Sequence, residues 1–247
     1  MHVVTSPSSI PGPRRTLGLR LLTVAVTAGA FAGLSGVVAP VANAQYNIVG
    51  RIKQEYFEAS DANDQRSDIY FGQTLTPELD AARGGRWQNF ANDKAIYWHP
   101  LVSGNHANQI GGAVRVKWGE TTGAEGGWEW GPLRYPTTRE WSSRESGASG
   151  KVARGNHFEG GTIYWVPETG TFVTWGWIRS AWWRLGAEST ALGLPTSDER
   201  PVSDGWVQDF EGGSIQVYFD GLVAVRTTSS AAAPLDTGGK VAIQELG

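Results

Sequence analysis

Three stretches of this chain follow one grammar: Gly50-Arg51-Ile52-Lys53-Gln54-Glu55-Tyr56, Gly112-Ala113-Val114-Arg115-Val116-Lys117-Trp118 and Gly176-Trp177-Ile178-Arg179-Ser180-Ala181-Trp182. Each reads glycine, any residue, a branched aliphatic, a basic residue, two further positions and a large aromatic. The aliphatic and the aromatic stand four apart, so on a short helix they share one face. A turn containing proline and glutamate follows each: Thr76-Pro77-Glu78, Tyr135-Pro136-Thr137-Thr138-Arg139-Glu140 and Leu194-Pro195-Thr196-Ser197-Asp198-Glu199. Prolines 77, 136 and 195 lie 59 and 59 residues apart, which points to internal repetition.

A pair of strands is expected after each turn. Gly85-Arg86-Trp87-Gln88-Asn89-Phe90 leads into Ala95-Ile96-Tyr97-Trp98, and Gly155-Asn156-His157-Phe158 leads through Glu159-Gly160-Gly161 into Thr162-Ile163-Tyr164-Trp165. Gly205-Trp206-Val207-Gln208-Asp209-Phe210 leads through Glu211-Gly212-Gly213 into Ser214-Ile215. Glu-Gly-Gly, and Ala91-Asn92-Asp93 in the first copy, are hairpin chemistry. The predicted fold is therefore α+β and β-rich: a tandem array of three repeats of about 60 residues. Each repeat is a short helix, a proline turn and a small antiparallel meander. The boundaries fall near 50–111, 112–175 and 176–226, with 227–247 read as a flexible tail that lacks the pattern.

Leu192-Gly193-Leu194-Pro195, followed by Gly205-Trp206 and Phe210-Glu211-Gly212-Gly213, resembles the LGFP repeat of actinobacterial cell-envelope proteins. Phe158-Glu159-Gly160-Gly161-Thr162-Ile163-Tyr164-Trp165 is similar to the same family's hairpin. The first unit keeps only the skeleton of the motif, and the second has Arg134 where the motif wants glycine. The resemblance implies an exported, non-catalytic module held to the cell wall. Its implied ligand is envelope polysaccharide, with arabinogalactan as the expected glycan.

Composition agrees with export. Arg14, Arg15 and Arg20 precede an apolar run from Leu21 to Val41 that closes on Ala42-Asn43-Ala44, so 1–44 read as a removable export signal peptide. Arg14-Arg15 fits either a twin-arginine signal or an ordinary secretory n-region. The 21 basic side chains lose three with this leader, leaving 18 against 24 acidic ones. A net charge of −6 argues against nucleic acid, whose binding needs clustered Lys and Arg. Beyond residue 44 no apolar run approaches the roughly 18 residues of a membrane span. With no cysteine there is no disulfide, thiolate nucleophile or zinc–thiolate site.

The search for catalytic groups finds none. An enzyme needs different groups converging on one atom, whereas repetition places like residues at separated sites. Glu78, Glu140 and Glu199 read as turn residues, and Glu159 and Glu211 as hairpin carboxylates. His99, His106 and His157 lack the spacing of a metal set. No cofactor or metal is expected.

What remains is aromatic. All twelve tryptophans lie beyond the leader, and a flat indole suits the C–H face of a sugar while carboxylates and amides suit its hydroxyls. Tyr97-Trp98 and Tyr164-Trp165 each place neighbours on opposite strand faces, one expected in the core and one outward. The candidate ligand-binding set is Trp87, Tyr97, Trp98, Tyr164, Trp165 and Trp206 with Asp198. Trp118 and Trp182 read as core, and the unrepeated Trp128, Trp130 and Trp141 as lids or platforms. The function expected is wall-associated polysaccharide binding through grooves between repeats. The alternative is a protein-interaction module for another envelope protein.

Overall fold

The computed structural model describes residues 45–228 and the backbone of Val241–Ala242. The proposed leader and most of the tail lie outside the described residues. The element order is α1 (Gly50–Asp61), α2 (Ser67–Phe71), β1 (Leu79–Asp80), β2 (Arg86–Phe90), β3 (Lys94–Trp98), β4 (Asn108–Gly111) and α3 (Gly112–Glu120). The chain continues through β5 (Trp141–Glu145), β6 (Val152–His157), β7 (Gly161–Val166), β8 (Gly170–Trp175) and α4 (Gly176–Arg184). It ends with β9 (Arg200–Val202), β10 (Gly205–Phe210), β11 (Gly213–Tyr218), β12 (Leu222–Thr227) and β13 (Val241–Ala242). The strands form three antiparallel meanders, β1–β4, β5–β8 and β9–β13, each in sequence order. This is the α+β, β-rich array of three repeats. The expected tail is corrected at one point: Val241 and Ala242 pair with Val223 and Leu222, so the chain returns to add a strand to the last sheet.

Helices α3 and α4 start where a strand stops, with no loop between β4 and α3 or between β8 and α4. Gly50, Gly112 and Gly176 open α1, α3 and α4 with φ of 56°, 53° and 54°, a left-handed conformation open to glycine at little cost. The four-residue spacing then does what the sequence requires of it. Ile52 and Tyr56, Val114 and Trp118, and Ile178 and Trp182 are all buried. Around them lie three apolar clusters. The first joins α1 and α2 to Phe90 and Ile96. In the second, α3 meets Tyr97 and Ile110 of one sheet and Ile163 and Val173 of the next. In the third, α4 lies between Tyr164 and Val166 on one side and Ile215 and Val225 on the other. The cores are thus shared between neighbours, as repeat arrays require.

Backbone hydrogen bonds fix which residues are equivalent. Asn92, Gly160 and Gly212 donate to the carbonyls of Phe71, Leu133 and Leu192. Thr74, Pro136 and Pro195 bridge to Phe90, Phe158 and Phe210. Thr74, not Pro77, is therefore the counterpart of the two later prolines, and the equal 59-residue spacing is a coincidence. Pro77 corresponds instead to Arg139 and Asp198, while Glu78, Glu140 and Glu199 are true equivalents.

A buried amide clamps every unit to what precedes it. Gln88 Nε2 donates to the carbonyls of Thr76 and Asn47 at 3.0 and 3.2 Å. Asn156 Nδ2 does so to Thr138 and Gln109, both at 2.9 Å, and Gln208 Nε2 to Ser197 and Val173, both at 2.8 Å. One acceptor belongs to the unit's own turn and the other to the chain just before that unit's helix.

The motif glycine has its reason in the same frame. Gly72, Arg134 and Gly193 occupy one left-handed position, with φ of 70°, 57° and 67°. The carbonyls of Arg134 and Gly193 accept the indole N–H groups of Trp118 and Trp182. Arg134 pays about 1 kcal/mol for that conformation, and its side chain is exposed. Arg134→Gly is therefore expected to raise stability by about 0.5–1 kcal/mol, read as a higher urea midpoint; an unchanged or lower midpoint would refute this.

Candidate functional site

The third unit carries a polar side chain where the first two carry a core tyrosine. Tyr97 and Tyr164 face α3 and α4, with ring centroids 4.8 and 5.3 Å from Trp118 and Trp182. The equivalent in the third unit is Gln216, bonded to Asp204 at 2.8 Å and to Arg226 at 3.1 Å. Tyr97 and Tyr164 are thus core residues whose hydroxyls burial holds well above their usual pKa.

Between the units lie ionic staples whose signs alternate. Arg139, from the second turn, reaches Glu55 and Glu58 on α1, both at 2.7 Å, while Glu55 Oε1 accepts the Gln109 N–H at 2.9 Å. At the next joint Asp198 takes the place of Arg139 and Lys117 that of Glu55, and the two are ion-paired. Asp198 Oδ1 accepts the N–H of Val173, the counterpart of Gln109, at 2.8 Å. One backbone donor is thus satisfied by a helix carboxylate at one joint and by a turn carboxylate at the next. Asp198, placed in the candidate ligand set, is committed to this joint. Burial pushes Glu55 up to about 7, with Arg139 and the Gln109 N–H pulling it back.

The aromatic candidates divide. Trp87 is partly buried and stacks on Tyr97, with centroids 5.7 Å apart and planes 10° apart. Trp98, also in the candidate set, packs against the α1 core, and its indole N–H bonds Asn105 Oδ1 at 2.9 Å. Trp165 and Trp206 remain 38 % and 43 % exposed, and each lines a groove beside the start of a helix.

These two grooves are the same place in successive repeats. The first, of about 310 Å³, is bounded by Gly111–Val114, Glu140, Arg154 and Trp165. The second, of about 320 Å³, is bounded by Gly176–Ile178, Glu199, Trp206 and Val217 among others. Arg154 is the cross-strand partner of Trp165, and Trp206 that of Val217. The indole therefore comes from β7 in one groove and from β10 in the other, yet faces the same opening. A carboxylate stands in each. Glu140 is ion-paired with Arg154 at 2.5 Å, as Glu78 is with Arg86 at 2.9 Å in the first unit. Glu199 lacks the arginine; burial raises its pKa, and the Trp175 indole N–H partly offsets that. Trp177, 55 % exposed, adds a second indole to the third-unit groove.

Sequence reasoning set Glu140 and Glu199 aside as turn residues and did not single out Arg154 or Trp177. The signal for Trp177 was present, since it precedes Ile178 on the helix and must face away from the buried stripe. Glu159 and Glu211, read from the sequence as hairpin carboxylates, accept the backbone N–H groups of Tyr135 and Leu194 at 3.1 and 2.9 Å. His99 is buried, its Nε2 3.0 Å from the Arg83 carbonyl. Among the described residues no His, Asp or Glu cluster is arranged to hold a metal ion, and no helix is long and apolar enough to cross a membrane.

The family model that matches is the LGFP repeat, at residues 72–127, 133–189 and 192–225. Its copies start at the turn carrying the left-handed glycine position, one helix later than units counted from Gly50. No curated protein matches the chain. Since the three matches together span more than half of its length, the chain belongs to the LGFP-repeat family.

Proposed function

We propose that this is an exported, non-catalytic module that associates with the cell wall by binding envelope polysaccharide in the grooves beside α3 and α4. The observation that carries this reading is the exchanged indole: Trp165 and Trp206 come from different strands yet furnish equivalent grooves, each with a carboxylate opposite. Core packing alone gives no reason for an exposed indole to reappear in the groove when its strand partner changes. A pyranose or furanose ring stacked on the indole would present hydroxyls to Glu140 or Glu199. Each groove is small and open, so binding at one is weak, and a polymer spanning both gains through avidity.

The test is co-sedimentation with mycolate-stripped cell wall. Trp165→Ala combined with Trp206→Ala is expected to weaken pelleting by about tenfold or more, equivalent to about 1.4 kcal/mol, with an unchanged far-ultraviolet circular dichroism spectrum. Pelleting equal to that of the parent protein would show that the grooves do not bind. Binding that survives in wall stripped of polysaccharide would favour an envelope protein as partner.

A further inference from the structure

A different recess lies where β5, the end of β6 and α4 meet. It encloses about 470 Å³, with Trp141, His157, Trp183, Arg144, Glu188 and Ser189 in its walls, a size within the range of small-molecule sites. Two of its aromatic walls are not repeated. The counterparts of His157 and Trp183 at the preceding joint are Asn89 and Gly119, so the aromatic walls exist only between the second and third units.

Its geometry is built from behind. The His157 ring stands between two indoles, its centroid 4.7 Å from that of Trp141 and 5.4 Å from that of Trp183, the latter edge to face at 72°. The Arg179 guanidinium lies 3.6 Å from the Trp183 ring and fixes it from one side, while the Trp183 N–H bonds Tyr164. Arg179 Nε also donates to Thr162 Oγ1 at 2.9 Å, and that hydroxyl lies 2.9 Å from His157 Nδ1. Thr162 is fully buried, Arg179 already donates to its oxygen, and His157 Nδ1 is the acceptor within reach of its proton, so we assign that proton to Nδ1. The imidazole then carries its hydrogen on Nε2 as a donor. Burial, with Arg179 next, brings its pKa down to about 4 and keeps it neutral. Both Arg144 and Glu188 line the rim, and Glu188 accepts the Arg144 backbone N–H at 3.2 Å.

We infer that this recess is a second, non-repeated binding site for a single neutral pyranose ring, distinct from the repeated grooves. The indole walls suit one C–H face of the ring. The imidazole N–H and the serine and glutamate oxygens suit hydroxyls at its edge. An acyl chain would leave those polar groups unpaired, and a charged ring would meet one like charge on a rim lined by both Arg144 and Glu188. The choice of a sugar rests on the polysaccharide reading above; the recess itself does not.

The test uses the ¹⁵N-labelled full chain, following the indole N–H signals of Trp141 and Trp183, assigned from Trp141→Phe and Trp183→Phe. The probes are the methyl glycosides of D-glucopyranose, D-galactopyranose and D-mannopyranose, with N-acetyltryptophanamide as an aromatic side-chain probe. At least one pyranoside is expected to shift both signals saturably in the millimolar range. Trp183→Ala should weaken that response by about tenfold or more, and so should His157→Leu, which removes the donor. Trp165→Ala with Trp206→Ala should leave it unchanged. Absence of saturable shifts with all three pyranosides, a response to the tryptophan amide alone, or a response that survives in Trp183→Ala would each overturn the inference. If wall pelleting depends on the groove tryptophans but no pyranoside responds here, only this inference falls. If a pyranoside responds here but the protein does not pellet, only the groove reading falls.

Discussion

Replacing Trp118 with alanine is expected to cost about 3–5 kcal/mol from the lost burial and the cavity left behind. Few side chains in the array join so many parts. Trp118 is fully buried on α3. It meets Tyr97 of the preceding sheet edge-on and lies 5.4 Å from Phe158 of the following meander. Its indole N–H also satisfies the Arg134 carbonyl at 3.0 Å, and leaving that acceptor unpaired adds about 1 kcal/mol. Against a typical domain stability of about 5–15 kcal/mol, this is a large fraction. Urea unfolding followed by circular dichroism should show the drop, with Trp118→Phe losing clearly less because it refills part of the space. A loss below about 1 kcal/mol would mean that the core collapses around the gap and that α3 is not the joint described here.

The second large effect concerns the alternating staples. Arg139→Glu is expected to destabilise by about 3 kcal/mol, because it sets a second carboxylate against the buried Glu55. That is the low end of the range for a broken buried pair, since Arg139 is itself 32 % exposed. The repeat offers its own rescue. Glu55→Lys combined with Arg139→Asp recreates the Lys117–Asp198 arrangement at the preceding joint, and the new carboxylate can take the Gln109 N–H as Asp198 takes that of Val173. This double variant should recover most of the loss, with a coupling energy of about 1–3 kcal/mol. The pH dependence has a definite sign. The folded-state pKa of Glu55 is raised above its ordinary value of 4.5 to about 7, so its ionisation opposes folding and stability from this group falls as pH rises through that interval. Removing Arg139 deepens that effect, and the deficit of Arg139→Ala should be larger at high pH than near pH 5, where Glu55 is protonated. A deficit that grows on acidification would contradict this assignment.

The legible parts of the fold were those written in local spacing. Ile52 with Tyr56, Val114 with Trp118 and Ile178 with Trp182 mark helices because four residues close one turn, and Glu-Gly-Gly marks hairpins because the chain must reverse there. Pro77 misled because proline is a local turn former wherever it falls, whereas equivalence is set by which backbone groups pair; Thr74 takes the bridge to Phe90 without any proline. The clamps of Gln88, Asn156 and Gln208 join residues 11 to 47 positions apart, and nothing in a single unit announces them.

For the site, the strand parity of Tyr164-Trp165 correctly separated a core ring from an exposed one. The same parity held for Tyr97-Trp98, but α1 covers the second face there, so both rings are at least half withdrawn. That Trp206 replaces the role of Trp165 depends on register across β10 and β11, a property of the paired sheet that no single strand carries. Asp198 looked available because it is polar and exposed; its commitment to Lys117 and Val173 arises only once the neighbouring unit is in place.

The account stands most directly on one competition experiment. The protein is mixed with mycolate-stripped cell wall, sedimented, and titrated with soluble arabinogalactan. The account predicts that the protein pellets with the wall and returns to the supernatant as the free polysaccharide rises, with the Trp165→Ala and Trp206→Ala double variant remaining in the supernatant throughout. Protein that stays in solution without competitor, or pelleting that the polysaccharide does not reverse, would contradict it.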